Sequence, residues 1–212
     1  MKIGIIGATG KAGSALATEA ARRGHHVTAI VRDAAKASQV LGDDAAVLER
    51  DAFEVSAEDL AGFDVVVNAF ATAPEDSASH NVLTQQLVER AGADGPRLVF
   101  ILGAGSLTAQ DGRLALEHIR ETPGAEAWIA IPENALKELE YLRTVDTADW
   151  VGVSPQMDFH VGGATTPQLG LDEILLAADG ESHTTTGTMA VALVDEIEKP
   201  RHRNTRFTVS DA

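Results

Sequence analysis

The sequence predicts an α/β fold, a doubly wound parallel sheet followed by a small late substrate lobe. Apolar runs of strand length alternate with helical patterns over most of the chain, as in a parallel sheet with helices on both faces. A glycine-rich turn connects the first strand to the first helix. Beyond Pro155 the alternation breaks. The 212 residues are therefore expected to form a single domain, 1–212, with the lobe at about 155–188.

Four strands are predicted in the first third of the chain from short runs of apolar, mostly β-branched residues. They are Lys2–Ile6, His26–Val31, Ala45–Glu49 and Asp64–Ala69. The run Lys11–Arg23 has apolar residues at helical spacing and stops at Gly24, and a shorter helix lies near Ala34–Leu41. The apolar centre of the fourth strand is typical of a strand covered on both faces.

The remaining elements follow the same rhythm until Pro155. Pro132 occupies a first-turn position of a helix whose leucines share one stripe, and Ser154-Pro155 ends the sixth strand. Beyond the lobe a helix and a last strand close the fold. These later elements are predicted at Asn81–Ala91, Arg97–Leu102, Pro132–Arg143, Asp149–Val153, Met189–Ile197 and Phe207–Val209.

The composition restricts the partners. Lys and Arg number 17 against 32 Asp and Glu, a formal net charge of −15 at pH 7, so neither nucleic acid nor a membrane is expected as a partner. The chain has no cysteine, which excludes disulfides and thiolate chemistry. Its first apolar run is too short for a signal peptide, and no stretch approaches the ~20 apolar residues of a membrane span. We expect a cytoplasmic monomer or homodimer.

The glycine turn, Gly7–Gly13 (Gly-Ala-Thr-Gly-Lys-Ala-Gly), is the most informative segment. It follows a strand and opens a helix, which is the context that a dinucleotide-binding turn requires. A pyrophosphate lies against backbone N–H groups there, where a side chain would hold it away. A phosphate loop of the Walker type is excluded, because Ile5 replaces its first glycine and Ala12 its magnesium-binding hydroxyl. The alternative is an ordinary tight turn.

The end of the second strand bears on the choice of cofactor. An acidic residue there would bind the ribose 2′-hydroxyl of NAD. Arg32 instead comes first after the strand, and its guanidinium can bind a 2′-phosphate, with Lys11 as a second charge nearby. Asp33 is interpreted as the cap of the next helix. The sequence therefore favours NADP over NAD.

Several further motifs occur in one order along the chain. They are Gly7–Gly13, Val31-Arg32-Asp33, Gly103-Ala104-Gly105-Ser106-Leu107, Asp149-Trp150, Ser154-Pro155, Gly180-Glu181-Ser182, Ala190–Glu196 and Arg206-Phe207-Thr208-Val209. With them the chain resembles, nearly end to end, the atypical short-chain dehydrogenase/reductases of the NADH-flavin reductase group, relatives of biliverdin reductase B and of the NmrA-like regulators. The resemblance implies a Rossmann fold, a nicotinamide cofactor, and reduction of a flavin or similar planar acceptor.

The resemblance also implies the cofactor contacts. Those of the glycine turn and second strand fall at Gly7, Thr9, Gly10, Lys11, Ala12 and Arg32. Asp51 and Ala52, after the third strand, would meet the adenine. The path towards the nicotinamide would be lined by Ala69, Phe70, Ala71 and Thr72. The chain departs from the group at Met189, where a tyrosine is frequent, and over residues 156–160.

The usual proton donor of the wider superfamily, a Tyr-x-x-x-Lys pair, is not found. Tyr141 is the one tyrosine, and Lys137 precedes it by a helical turn instead of following it. The reversed order does not give the usual register on a cofactor, so the two are interpreted as a surface pair. Carbonyl reduction by the standard apparatus is therefore disfavoured.

Ser106 is the candidate catalytic residue. It follows the fifth strand, at the sheet edge where open α/β folds bind ligands, and could donate a hydrogen bond to an acceptor carbonyl. The alternative is that it caps the glycine-rich loop. Gln156 and His160 follow the sixth strand and are candidate substrate-binding residues, or else loop structure. The seven histidines form no metal-binding motif, so no metal site is expected.

Four cations near the C-terminus form a basic patch in this acidic chain: Lys199, Arg201, Arg203 and Arg206. We interpret the patch as a solvated loop before the last strand, with an anionic partner as the alternative.

Together these features predict an NADPH-dependent reductase acting on a small conjugated acceptor, with flavin as a substrate and not a prosthetic group. Hydride transfer to a flavin needs little from the protein beyond geometry, since solvent can supply the proton. The alternative is a non-catalytic, NADP-binding redox sensor of the NmrA type that acts through a protein partner.

Overall fold

The protein's structure, a computed structural model, describes every residue from Met1 to Ala212. The strands are β1 (Lys2–Ile6), β2 (His26–Val31), β3 (Ala46–Glu49), β4 (Val65–Asn68), β5 (Arg97–Ile101), β6 (Trp150–Pro155), β7 (Asp158–His160), β8 (Gln168–Gly170), β9 (His183–Thr185) and β10 (Thr205–Ser210). The helices are α1 (Lys11–Arg22), α2 (Ala34–Leu41), α3 (Ala57–Ala61), α4 (Ser79–Ala91), α5 (Ala115–Arg120), α6 (Ala130–Leu142) and α7 (Thr186–Glu198). None of these helices has both the length and the apolar character needed to cross a membrane.

Eight strands form the central sheet, in the order β3-β2-β1-β4-β5-β6-β10-β8. Neighbouring strands are parallel except β10 and β8, which are antiparallel. The chain winds outward from β1 to β3 and then returns to β4 on the other side of β1. The carboxyl ends of β1 and β4 therefore lie side by side where the winding reverses, and sheets of this kind bind ligands at that point.

Apolar side chains cover both faces of the sheet. On one face, α1 and α7 contribute Leu16 and Leu193 to a buried cluster. On the other face, α4 and α6 contribute Leu87 and Leu139 to a second cluster that includes Phe100. Each helix is held by its apolar stripe, and the predicted doubly wound parallel sheet is confirmed.

The structure adds elements that apolar periodicity did not predict. The short helices α3 and α5 have no counterpart among the predicted elements, and the strands β7, β8 and β9 lie in the predicted lobe. Helix α7 begins at Thr186, three residues before the predicted start at Met189. The reason is a cap, because the hydroxyl of Thr185 accepts a hydrogen bond from the N–H of Thr188 at 3.2 Å.

Residues 156–185, here called the late lobe, contain the three short strands. Strand β8 extends the central sheet at its edge, while β7 and β9 form a separate parallel pair. Polar side chains attach this pair to the sheet. The hydroxyl of Thr184 donates to the carbonyl of Val209 at 2.7 Å and accepts from the N–H of Gln156 at 2.8 Å.

The carboxylate of Asp211 ties the late lobe to the end of β10. It is buried and accepts hydrogen bonds from the N–H (2.9 Å) and hydroxyl (3.0 Å) of Thr185 and from the hydroxyl of Thr165 (3.2 Å). Its Oδ2 also lies 2.8 Å from Nδ1 of His183. Burial would raise the pKa of Asp211, but the hydrogen bonds outweigh burial and hold it below the ordinary value. The hydrogen bond to Asp211 in turn raises the pKa of His183.

We expect Asp211→Asn to destabilise the fold by about 2 kcal/mol near pH 6, because a charged acceptor is lost from a buried cluster. A lowered carboxylate pKa stabilises the fold above the unfolded-state value of 3.8, and this stabilisation is lost as the pH falls through the folded-state value. The raised pKa of His183 adds stability below 6.5, which is lost as the pH rises through its folded-state value. The difference in melting temperature between parent and variant should therefore be largest between about pH 4 and pH 6.5.

The matched control is Asp43→Asn at an exposed position, which should leave the melting temperature nearly unchanged at every pH. If the difference in melting temperature between the parent and Asp211→Asn does not vary with pH, the charges assigned to Asp211 and His183 would be wrong.

Candidate functional site

A cavity of about 620 Å³, here called the main cavity, lies at the carboxyl ends of the first four strands. Its walls are the glycine turn, the end of β2, the turn after β3 and the segment after β4. Ten of the twelve residues predicted to contact a cofactor line it: Gly7, Thr9, Gly10, Arg32, Asp51, Ala52, Ala69, Phe70, Ala71 and Thr72. Lys11 and Ala12 do not. The topology therefore brings together segments that are far apart in the sequence.

Two glycines of the turn permit close approach, and a third leaves the cavity open. Gly7 has φ +75°, and a Cβ on it would lie 2.5 Å from the carbonyl oxygen of Ala69. A Cβ on Gly13 would lie 2.3 Å from the carbonyl oxygen of Gly7. A Cβ on Gly10 would lie 3.3 Å from that oxygen, a tight but accessible distance, and Gly10 faces the main cavity. Gly7 and Gly13 thus set the packing of α1, while Gly10 affects the cavity itself.

The first turn of α1 is suited to an anion. Gly10 is its N-cap and supplies no side-chain hydrogen bond. The N–H of Gly10 is bonded to the carbonyl of Gly7, and that of Ser14 to the carbonyl of Gly10, each at 2.9 Å. The N–H groups between them have no capping side chain, and the helix dipole favours negative charge there. This cradle fits the pyrophosphate of a dinucleotide.

Three cations line the main cavity beside the ends of β2 and β3: Arg32, Lys36 and Arg50. Arg50 lies 3.5 Å from Asp59, but Arg32 and Lys36 have no carboxylate partner. The carboxylate of Asp33 accepts from the N–H of Lys36 at 2.9 Å and caps α2, as predicted. This end of the cavity therefore offers two cations without a carboxylate partner, in a chain of net charge −15.

An aromatic wall stands next to these cations. The rings of Phe53 and Phe70, which both line the cavity, meet edge to face with centroids 5.6 Å apart. Phe70 in turn contacts His80 at 5.1 Å, and burial lowers the pKa of His80, which favours the neutral ring. Asp51 fixes the backbone of this wall by accepting from the N–H of Phe53 at 2.9 Å. Such a wall suits a flat ring such as adenine.

The side chain of Lys11 does not lie beside Arg32, contrary to prediction. Its Nζ donates to the carbonyl of Phe159 at 2.6 Å and lies 4.6 Å from the centre of the Phe159 ring. Lys11 therefore connects the glycine turn to β7 of the late lobe. The sequence gives the position of this lysine in the turn but not the direction of its long side chain.

Ser106 lies in the turn after β5, is 7% exposed, and does not line the main cavity. Its Oγ accepts a hydrogen bond from Nη1 of Arg206 at 3.1 Å. The prediction that Arg206 belongs to a solvated patch is wrong, because the residue is 2% exposed within β10. Strand β10 lies between β6 and β8 and is covered on both faces, whereas Lys199, Arg201 and Arg203 are exposed.

The two candidate substrate-binding residues differ in their surroundings. Gln156 is 1% exposed, and its side chain is bonded within the protein. Its Nε2 donates to the hydroxyl of Thr208 at 2.7 Å, and its Oε1 accepts from the N–H of Leu175 at 2.9 Å. Gln156 thus joins the late lobe to β10. His160 is exposed at the end of β7, with Nδ1 3.0 Å from a carboxylate oxygen of Asp158.

Tyr141 and Lys137 lie on α6, away from the lining of the main cavity. Tyr141 is half-buried against the core, and burial, with the carboxylate of Glu89, raises its pKa. A raised pKa makes the phenol a poorer proton donor at neutral pH. Nζ of Lys137 donates to Oδ1 of Asn134 at 3.3 Å and not to the tyrosine.

The fold and the main cavity define a nicotinamide-nucleotide-binding class of protein, and sequence comparison agrees. The chain belongs to the NAD(P)H-binding family, which it matches over residues 7–200. YwnB of Bacillus subtilis (strain 168), whose activity is uncharacterised, is 39% identical over 213 residues, 99% of this chain and 98% of that protein.

Solved structures give the same result. A Lactobacillus casei protein is 35% identical with a TM-score of 0.93, covering 100% of both chains. SP1627 of Streptococcus pneumoniae TIGR4, provisionally named an NADH-flavin reductase, is 31% identical with a TM-score of 0.88, again over 100% of both chains. The anaerobilin reductase ChuY of Escherichia coli O157:H7, 16% identical with a TM-score of 0.70 over 100% of this chain and 97% of that one, shares the fold. The predicted membership of the atypical short-chain group is confirmed.

The glycine geometry predicts opposite outcomes for two substitutions. Gly10→Val should abolish NADPH binding while the circular dichroism spectrum and melting temperature stay close to the parent values, because its side chain enters the main cavity. Gly13→Val should lower the melting temperature strongly, because its side chain would collide with the backbone of Gly7. Calorimetric titration with NADPH and thermal melts check both. Unchanged NADPH affinity in Gly10→Val would show that the glycine turn is not part of the binding site.

Proposed function

We propose that the protein reduces flavin, or a comparable conjugated acceptor, with NADPH as hydride donor. The observation that carries this proposal is the main cavity, in which an uncapped helix start, an aromatic wall and two unpaired cations line one continuous space. Family membership supports the oxidoreductase class and a nicotinamide cofactor. The name of the Streptococcus pneumoniae relative supports the type of acceptor.

Each part of the cofactor has matching residues. The first turn of α1, with Thr9 and Gly10, would hold the pyrophosphate. Asp51, Ala52 and the phenylalanine wall would hold the adenosine. Arg32, with Lys36 beside it, would bind the 2′-phosphate, which favours NADP over NAD. Residues 69–72 would line the path towards the nicotinamide.

NADPH, when bound, supplies the hydride. Ser106 would donate a hydrogen bond to an acceptor carbonyl, because it lies at the carboxyl edge of the sheet, after β5. Water can supply the proton that the reduced acceptor needs, so no acidic side chain is required. The late lobe, with exposed His160, would border the acceptor.

The second candidate is a non-catalytic, NADP-binding sensor that acts through a protein partner. The burial of Gln156 and the 7% exposure of Ser106 favour it, because they leave few polar groups to act on an acceptor. The cofactor site is the same in both candidates, so the acceptor reaction separates them.

The two candidates predict different turnover. As a reductase, the protein should oxidise NADPH under anaerobic conditions only when an acceptor from a panel of flavins, quinones and tetrapyrroles is added. Ser106→Ala should slow the reaction about 10-fold or more, the scale of losing one donor to developing charge. Tyr141→Phe is the control and should change the rate little. Tight NADPH binding without turnover across the panel would favour the sensor.

Cofactor preference should depend on Arg32. Arg32→Gln should weaken NADPH binding by one to two orders of magnitude and leave NADH nearly unchanged, since a charge-assisted hydrogen bond contributes roughly 1.5–3 kcal/mol. Arg32→Asp should reverse the preference, because a carboxylate repels the phosphate and accepts from a ribose hydroxyl. The measurement is the Kd of each nucleotide at one ionic strength.

The control for long-range charge is Arg203→Gln. It removes one exposed cation before β10, at the opposite, amino-terminal edge of the sheet, and should not change the NADPH to NADH ratio. A parent protein that already prefers NADH would overturn the role of Arg32.

A further inference from the structure

A buried arginine lies directly behind Ser106. The side chain of Arg206 is 0% exposed, and its Nη1 donates to the hydroxyls of Ser106 (3.1 Å) and Ser154 (2.9 Å). Nη2 donates to the backbone carbonyl of Ser106 at 3.4 Å, and the guanidinium also donates to the carboxylate of Asp172. One side chain thus connects β10, the turn after β5, the end of β6 and the late lobe.

The two serines differ in what remains of their hydrogen-bonding capacity. Ser154 accepts from Arg206 and donates its own hydrogen to the carbonyl of Gly103 at 2.9 Å, so it is satisfied in both roles. Ser106 accepts from Arg206 but has no acceptor within the protein for its hydroxyl hydrogen. A guanidinium has only donors and cannot take that hydrogen. The hydroxyl hydrogen of Ser106 is therefore left without a partner in the chain.

We propose that Arg206 is the positioning residue for Ser106: it occupies a lone pair of the Ser106 hydroxyl and so directs the hydrogen to the carbonyl of the acceptor. This inference rests on the proposed function, in which Ser106 meets the acceptor. It gives a role to a buried cation that the packing of the sheet does not require, since neighbouring positions of β10 carry apolar or small polar residues.

The positive charge of Arg206 also favours hydrogen-bond donation from Ser106 to the acceptor carbonyl. Burial lowers the pKa of Arg206, yet a guanidinium stays protonated in proteins. Asp172 balances its charge on the lobe side, whereas on the Ser106 side its N–H groups end on neutral oxygens. When the hydride brings two electrons to the acceptor, NADPH becomes NADP⁺ and negative charge develops on the acceptor carbonyl. Ser106 stabilises that charge and keeps its own hydrogen, and water then supplies the neutralising proton.

A double-mutant cycle between the two residues tests the proposal. The variants are Ser106→Ala, Arg206→Gln, Arg206→Lys and the double variant Ser106→Ala/Arg206→Gln. The measurements are kcat and KM for NADPH oxidation with riboflavin, the Kd of riboflavin alone from fluorescence quenching, and the melting temperature. Each of the first two variants should lower kcat about tenfold and weaken riboflavin binding, without changing KM for NADPH more than about twofold. The double variant should lose no more than either single one.

The conservative variant and a matched control separate positioning from folding. Arg206→Lys keeps a charged donor and should recover part of kcat in the parent background but nothing in Ser106→Ala. Ser154→Ala removes the other hydroxyl bonded to Arg206 and should lower the melting temperature while kcat stays within about twofold.

Losses in kcat that add in the double variant would overturn the proposal and leave Arg206 a structural residue. If Arg206→Gln does not fold, Arg206→Lys in both backgrounds gives the same comparison. A parent protein that turns over no acceptor would overturn the proposed function and this inference with it. Turnover with additive losses would overturn the inference alone.

Discussion

The site depends on the absence of side chains at Gly7 and Gly13. With no Cβ at Gly13, the start of α1 lies against the turn at the end of β1, and with none at Gly7, the carbonyl of Ala69 after β4 approaches the glycine turn. Two walls of the main cavity, the turn itself and residues 69–72, therefore share one backbone contact. A methyl group at Gly7 would separate these walls before it met any ligand, and one at Gly13 would push α1 away from the turn. The geometry that opens the uncapped helix start to the cavity is thus fixed by backbone packing and not by polar side chains.

Arg32 and Lys36 of the main cavity can attract an anionic ligand because no carboxylate is paired with them. Away from the cavity, arginines lie in contact with carboxylates, as Arg23 does with Glu19 and Asp195, and Arg97 with Glu196. In the main cavity, by contrast, Arg32 and Lys36 after β2 line an open space and have no carboxylate partner. A chain with net charge −15 repels anions at long range, so an anionic ligand gains attraction only within about a Debye length of this local group. Affinity for a 2′-phosphate should accordingly be governed by Arg32 and Lys36 and not by the overall field.

The parts of the molecule that follow from apolar periodicity were predictable, and those fixed by polar side chains were not. The strands β1, β2, β4 and β5 and the glycine turn have local signals, and ten of the predicted cofactor contacts meet in one cavity because parallel strands bring their carboxyl ends together. The late lobe has strands of only three residues, attached by Gln156, Thr184 and Asp211, whose partners are distant in sequence. Arg206 was misjudged because its neighbours in sequence are exposed cations. The sequence does not show that β8 pairs with β10. The enclosure of β10 between β6 and β8 is therefore visible only in the structure.

Two charged side chains add to the polar contacts that hold the late lobe on the main sheet. Three-residue strands are too short to be stable alone, so β7 and β9 need anchors. Lys11 of the glycine turn holds the carbonyl of Phe159, and Arg206 of β10 holds Asp172. Both anchors are cations of the main domain that bond to oxygen atoms of the lobe. The first begins at the glycine turn that we propose holds the pyrophosphate, and the second also contacts Ser106. The lobe is therefore coupled to both ends of the site, and a change at Lys11 is expected to act first on the placement of β7 and only through it on the acceptor.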